Sequence, residues 1–158
     1  PGEGVSWKKI VDTSFLIKEE LENQHLISFV KTTGGKGLHI VIPIARRYDW
    51  EYLELFTKTF SEYIVSKYPK DYVSDMSKAK RKQKIYIDYL RNKPGASAIA
   101  PYSLRTHEQA FVATPLSWDE LPYIKPDDFN INTMVKRLEQ LSVDPWENFF
   151  HLKQPLPK

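Results

Sequence analysis

The sequence predicts an α/β (α+β) fold, a mostly antiparallel sheet with packed helices. From Ser28 to Ile44, two alternating, β-branched runs flank a glycine-rich loop, the pattern of a hairpin. Around that hairpin, three longer segments near 7–23, 50–67 and 131–141 repeat apolar residues at helical spacing. At 158 residues the chain is long enough to bury a real core. No internal repeat, low-complexity stretch or linker divides it, so a single domain over 1–158 is expected.

Gly2 and Gly4 make an opening loop, and Ser6 is a good N-cap for a helix running to about Asn23. Trp7, Ile10, Val11, Ile17 and Leu21 form its apolar face, with lysines and glutamates over most of the rest. Strands follow at about 28–32 and 38–43. Asp49 caps a second helix from Trp50 to Lys67, striped by Leu53, Phe56, Phe60 and Ile64, and Tyr68-Pro69 stops it. Ser74 or Asp75 starts a short helix through Lys78, Lys80, Arg81, Lys82 and Lys84, a basic run favoured as a solvated face over a DNA-binding stripe. Ile85 to Leu90 is expected as a strand, Asn92 to Gly95 as a turn, and Ala96 to Arg105 as a strand lying close to other backbone. Phe111 to Thr114 is another short strand, ended by Pro115. Ser117 to Leu121 is a capped turn of helix, Asp127 and Asp128 lie in a loop, and a last helix spans Ile131 to Leu141. The proline-bearing tail from Asp144 is pinned by Trp146, Phe149 and Phe150.

Composition excludes several function classes. With 41% hydrophobic and 27% charged residues, the chain reads as an ordinary soluble globular protein. There is no cysteine, which rules out disulfides and thiolate metal sites and fits a reducing compartment. No apolar run approaches the roughly 20 residues of a membrane span, and no signal peptide opens the chain. A net charge of +3 leans only mildly towards polyanions. Pro1-Gly2-Glu3-Gly4, without an initiator methionine, reads as the middle of a longer protein.

The chemistry concentrates in three places. Gly34, Gly35 and Gly37 allow backbone N–H groups to approach an anion closely, and Thr33, Lys36 and His39 add a hydroxyl, a point charge and an imidazole donor. That set suits a triphosphate, although a glycine-rich hairpin is often no more than a hairpin and a strand histidine is often structural. It is not a P-loop, because no Lys-Ser or Lys-Thr pair follows the glycines and no helix opens there. Asp88 stands alone in an apolar run; a buried carboxylate there requires a cation, whether a metal, Arg91, Arg105 or Lys36. Ser103 and Arg105 alternate onto one side of their strand. Two arginines, a lysine and a histidine around one carboxylate suit a nucleoside triphosphate with a divalent cation. Asp88 would be a hard oxygen ligand for Mg²⁺ or Mn²⁺.

Four ordered motifs carry a family resemblance: Phe29-Val30-Lys31-Thr32-Thr33-Gly34-Gly35-Lys36-Gly37-Leu38-His39, Ile87-Asp88-Tyr89-Leu90-Arg91-Asn92, Ala100-Pro101-Tyr102-Ser103-Leu104-Arg105 and Thr114-Pro115-Leu116-Ser117-Trp118-Asp119-Glu120-Leu121. In these the chain resembles the polymerase domain of bacterial ligase D, of the archaeo-eukaryotic primase superfamily, strongly over about 5–121 and loosely beyond. The resemblance implies part of a primase-polymerase catalytic core that extends and fills DNA ends in non-homologous end joining. It implies Mn²⁺ or Mg²⁺ in a two-metal site, with NTP or dNTP and a DNA primer-template as partners. Ligase and nuclease domains and the bacterial Ku end-binding protein are implied as further partners, in the bacterial cytoplasm at the nucleoid, with no membrane. Asp88 matches the family's third metal-binding aspartate. Thr33, where the family usually has serine, would hold the triphosphate with Lys36 and His39, and Arg91, Ser103 and Arg105 match further phosphate and active-site positions.

One departure is serious. The family's first two metal aspartates form an Asp-x-Asp motif that would precede Pro1, and this sequence does not contain it. Two-metal nucleotidyl transfer needs several carboxylates, so the chain is expected to be the C-terminal portion of such a domain and silent alone. The rival readings are a non-catalytic nucleic-acid-binding or partner-docking domain, and a remnant with no separate role.

Overall fold

The computed structural model describes residues 1–106 and 110–157. It divides into two compact units, one of Pro1–Ser6 with Arg46–Ala98 and the other of Trp7–Ala45 with Ile99 onward. The fold is the mixed helix and antiparallel-sheet class expected, with one short parallel pair added.

The second unit is built on a three-stranded antiparallel sheet. β1 (Phe29–Thr32) lies between β2 (Leu38–Val41) and β5 (Pro115–Leu116). Its register pairs Val30 with Ile40 and Leu116, and Lys31 with His39 and Pro115. Alternation sends Val30 to one side of the sheet, where it joins a core of Val11, Val112, Leu116, Leu121, Phe129 and Met134. α1 (Trp7–Asn23) supplies Val11 to that core and packs Trp7 and Phe15 against it.

Indole donors tie distant segments to this sheet. Trp118 Nε1 donates to the Ser28 carbonyl at 2.8 Å, Trp146 Nε1 to that of Val30 at 3.0 Å, and Trp7 Nε1 to that of Ile124 at 2.6 Å. Each ring buries apolar area while its one polar atom is satisfied by backbone. Gln154 does the same work for the tail: its Nε2 donates to the carbonyls of Ile27 and Pro43, and its Oε1 accepts from Ile27 N–H.

α3 (Ile131–Gln140) starts at a full capping box, with Asn130 Oδ1 accepting from Thr133 N–H and Thr133 Oγ1 accepting from Asn130 N–H. Its apolar spacing does not translate into burial all round. Met134 is buried, while Ile131, Val135 and Leu138 stay half exposed. The helix docks by an edge that Arg137 anchors, pairing with Glu120 at 2.6 Å and donating to the Pro115 carbonyl at 3.1 Å. Ser117 and Glu120 form the expected capped turn, Glu120 Oε2 accepting from the Ser117 hydroxyl at 3.1 Å.

In the first unit, α2 (Trp50–Lys67) begins at Asp49, whose Oδ1 accepts from Tyr52 N–H at 2.8 Å, and ends at Tyr68. Its expected stripe is buried at Ile64 and half-buried at Leu53, Phe56 and Phe60. β3 (Tyr72–Val73) and β4 (Ile85–Tyr86) pair in parallel, and the Ser61 hydroxyl donates to the Ile87 carbonyl at 2.9 Å. Gly2 lies so close to Arg81 that a Cβ there would sit 1.6 Å from its carbonyl oxygen. Side-chain-free backbone is therefore required where Gly2 N–H donates to the Lys84 carbonyl.

Several expected elements are shorter or displaced. The strand from Ile85 ends at Tyr86, because β3 offers only two partners. The basic run forms a 3₁₀ turn over Lys78–Arg81, opened by Ser77 rather than by Ser74 or Asp75. Ala96 to Arg105 is not a strand: Tyr102 takes a left-handed φ of 62°, and only its end pairs with neighbouring backbone. Phe111 and Val112 make isolated bridges, and the strand proper is Pro115–Leu116, so Pro115 opens it instead of ending one. Among the described residues no helix is long and apolar enough to cross a membrane.

Candidate functional site

The loop between β1 and β2 is closed by Thr33. Its hydroxyl donates to the Gly37 carbonyl at 3.0 Å, and its N–H donates to the same oxygen at 3.3 Å. Gly34 sits at a φ of +67°, a conformation that costs an L side chain strain. The Thr33 hydroxyl proton is thus engaged in shaping the loop, a role the sequence did not suggest.

Arg105 arrives at this loop from a second segment. A narrow ladder carries it there: Tyr102 N–H donates to the Ala113 carbonyl, Ala113 N–H to that of Ser103, and Arg105 N–H to that of Phe111. Two threonines then lock the far side of the ladder to β1. Thr114 N–H donates to Thr32 Oγ1 at 2.9 Å, and Thr32 N–H donates to the Thr114 carbonyl at 2.9 Å. With that register set, Arg105 Nη1 donates to the Thr33 carbonyl at 3.3 Å. The arginine stem fills the space a Gly34 side chain would need, since a Cβ there would lie 3.1 Å from Arg105 Cβ.

The second unit therefore brings together Thr33, Lys36 and Arg105 around one loop, with His39 two residues beyond its end on β2. Lys36 is exposed at the loop tip, Arg105 is exposed beside it, and His39 is half-buried opposite Lys31. Ser103 stands two residues before Arg105 on the ladder, half-buried. Two cations and an imidazole bordering glycine backbone can hold an anion of several charges.

Asp88 and Arg91 belong to the first unit. The expectation of a buried Asp88 is corrected: its carboxylate is exposed, because the apolar run around it leaves the sheet after Tyr86. Asp88 Oδ1 accepts from Leu90 N–H at 3.0 Å and from the Tyr86 hydroxyl at 3.3 Å. Burial, followed by the Asp88 charge, pushes the Tyr86 hydroxyl up to about 12, so that phenol stays a donor across neutral pH. Arg91 is exposed. Among the described residues no three His, Cys, Asp or Glu side chains gather as a metal-binding group. One exposed carboxylate does not fit a two-metal centre, so these residues by themselves do not hold one.

One residue of this region escaped the sequence reading. Lys31 is 3% exposed in the middle of β1, and burial lowers its amine to about 8. The signal was present: a lysine interrupts an otherwise apolar and hydroxylated strand two residues before the loop.

Comparison with known proteins gives a consistent result. Residues 1–146 match the family described as LigD, primase-polymerase domain. The multifunctional non-homologous end joining protein LigD of Pseudomonas aeruginosa is 31% identical over 156 residues, 98% of this chain and 19% of that protein. The bifunctional LigD of Bacillus subtilis is 30% identical over 143 residues, 89% of this chain and 23% of that protein. Among solved structures, the polymerase domain from Mycobacterium tuberculosis ligase D in complex with DNA superposes with a TM-score of 0.86 at 26% identity, covering 99% of this chain and 53% of that one. The chain thus spans about a fifth of those two LigD proteins and about half of that polymerase domain.

Proposed function

The chain belongs to the family of LigD primase-polymerase domains, and from that premise we propose that it is the triphosphate-gripping portion of a nucleotidyltransferase. The proposed reaction is transfer of a nucleotide from NTP or dNTP to a primer end during non-homologous end joining. The observation that carries this reading is Arg105 seated on the glycine loop that bears Lys36 at its tip.

In that reading each residue has a physical task. Thr33 holds the loop shut, the glycine backbone comes close to phosphate oxygens, and Lys36 supplies a point charge from the tip. Arg105 offers further guanidinium donors beyond the one spent on Thr33. His39 donates from β2. As the α–β phosphate bond breaks, negative charge moves onto pyrophosphate, and fixed donors already aimed there stabilise that change. Divalent metal belongs to the proposed chemistry of the whole domain. Asp88 is the residue of this chain proposed as one of its ligands, with Arg91 as a phosphate contact.

Charge supports a place for DNA. The first unit carries 12 Lys and Arg against 8 Asp and Glu, while the second carries 11 against 12. The chain's positive excess therefore lies entirely in the first unit, which is proposed to meet the nucleic-acid backbone.

Calorimetric titration of ATP into the chain and into His39→Ala tests the reading. Binding that weakens several-fold in the variant supports it; equal heats overturn it. Primer extension by this chain alone is expected to be absent, since no metal-binding group of carboxylates gathers among the described residues. Robust extension on a gel would contradict that.

A further inference from the structure

Four buried side-chain atoms among the described residues have no hydrogen-bond partner: Ser28 Oγ, Lys31 Nζ, Arg81 Nε and Arg137 Nε. The two arginines are engaged through their other nitrogens, Arg81 with the Met76 carbonyl and Arg137 with Glu120 and Pro115. Ser28 is neutral. Lys31 is different in kind, because its entire charged head lacks an acceptor. A buried ammonium in that condition is costly, and it is tolerated where an anion comes to meet it.

Its position says which anion. Lys31 pairs directly across the ladder with His39, and strand alternation places Thr33, two residues on, along the same face. On the other side Lys31 faces Pro115. Back along that face, Phe29 packs under Trp146 and Phe149, with ring centroids 5.7 and 5.2 Å away. The face therefore runs from an aromatic wall through a buried amine to the glycine loop. A charge at this depth is screened by protein rather than water, so its field stays strong at the loop without direct contact. An unbranched apolar side chain of similar length would fill the same space without the cost.

We propose that Lys31 is a further phosphate-recognition residue of this site, the buried countercharge to a triphosphate that Lys36, His39 and Arg105 hold from the open side. The inference rests on the triphosphate reading above and deepens it. It assigns binding strength to a residue inside the sheet as well as to those on the loop.

The test uses the full chain, with ATP as the probe. Lys31→Met is expected to fold with a urea midpoint equal to or above that of the wild type, yet to bind ATP roughly tenfold more weakly. A Lys31→Met protein that binds ATP like the wild type, while His39→Ala is weakened, overturns the inference and spares the site. Absence of ATP binding by the wild type removes both. A second measurement needs no variant: in protein carrying ¹³C-labelled lysine, the Lys31 side-chain signal should titrate at higher pH with ATP bound than without it. An unmoved midpoint in protein that binds ATP would equally overturn the assignment, because a purely structural lysine gives no such response.

Discussion

Arg105 and Thr33 meet through backbone: the guanidinium Nη1 donates to the Thr33 carbonyl oxygen at 3.3 Å, across the mouth of the glycine loop. A lysine at 105 keeps the charge but loses the forked donor that reaches Thr33 and, in the proposed function, a phosphate together. Arg105→Lys should therefore weaken ATP binding by roughly tenfold while changing stability by about 1 kcal/mol or less. Calorimetry beside a thermal melt separates the two effects, and unchanged affinity would remove Arg105 from the proposed phosphate site.

Gly34 is where loop shape and Arg105 depend on each other. An added methyl would meet Arg105 Cβ at 3.1 Å and the Phe111 carbonyl oxygen at 3.3 Å, at a φ of +67°. Gly34→Ala is expected to lose about 1–2 kcal/mol in urea unfolding. Gly37→Ala is the control: a Cβ there meets nothing within 4 Å, so its cost should be clearly smaller.

Stability should depend on pH through Lys31. Burial lowers its amine from 10.5 to about 8 in the folded chain. Below pH 8 both folded and unfolded states carry the proton, and the fold bears the whole penalty. Between about 8 and 10.5 the folded state has released the proton and the unfolded state still holds it, so stability from this group rises with pH. The advantage of Lys31→Met over the wild type should accordingly be largest near pH 7 and shrink by pH 10. Paired urea titrations at the two pH values check this, and a gap that widens with pH would contradict it.

Tyr102 fastens the tail. Its hydroxyl donates to Asp144 Oδ2 at 2.8 Å, and burial followed by that carboxylate pushes the phenol up to about 12. The bond is therefore intact throughout neutral pH. Tyr102→Phe should cost about 0.5–1 kcal/mol and raise amide exchange over 144–150 ahead of the sheet. Exchange that rises uniformly would argue against a local tie.

Helix ends were legible because the chain marks them chemically. Asp49 is a cap that works as read, and Tyr68-Pro69 stops α2 where a proline must, whereas the Asn130 cap of α3 emerged only in the structure. The hairpin was legible because two alternating, β-branched runs flank the glycines. Pro115 was misread as a terminator; it sits in the edge strand of the three-stranded sheet, opposite Lys31, where a missing N–H is tolerated. Asp88 was misjudged because an apolar run says nothing about where its neighbours end. β4 pairs for two residues only, and the carboxylate follows the chain out to solvent. Of the candidate site, the glycine loop with Lys36 at its tip could be read from residue type, while the placement of Arg105 on it came from the ladder between 102–105 and 111–113. The engagement of Thr33 with Gly37 and the isolation of the Lys31 amine depend on packing between segments far apart in sequence.

Gln154 joins backbone at Ile27 and Pro43, 127 and 111 residues upstream. Synthesis at about 5–20 residues per second leaves those two sites waiting several seconds for their partner. The margin of the hairpin thus stays open on the ribosome until the tail emerges, and during that interval the glycine loop hangs from an unfinished edge. Completion of the nascent hairpin should accordingly come late, after the amide of residue 154 has reached the two carbonyls it closes.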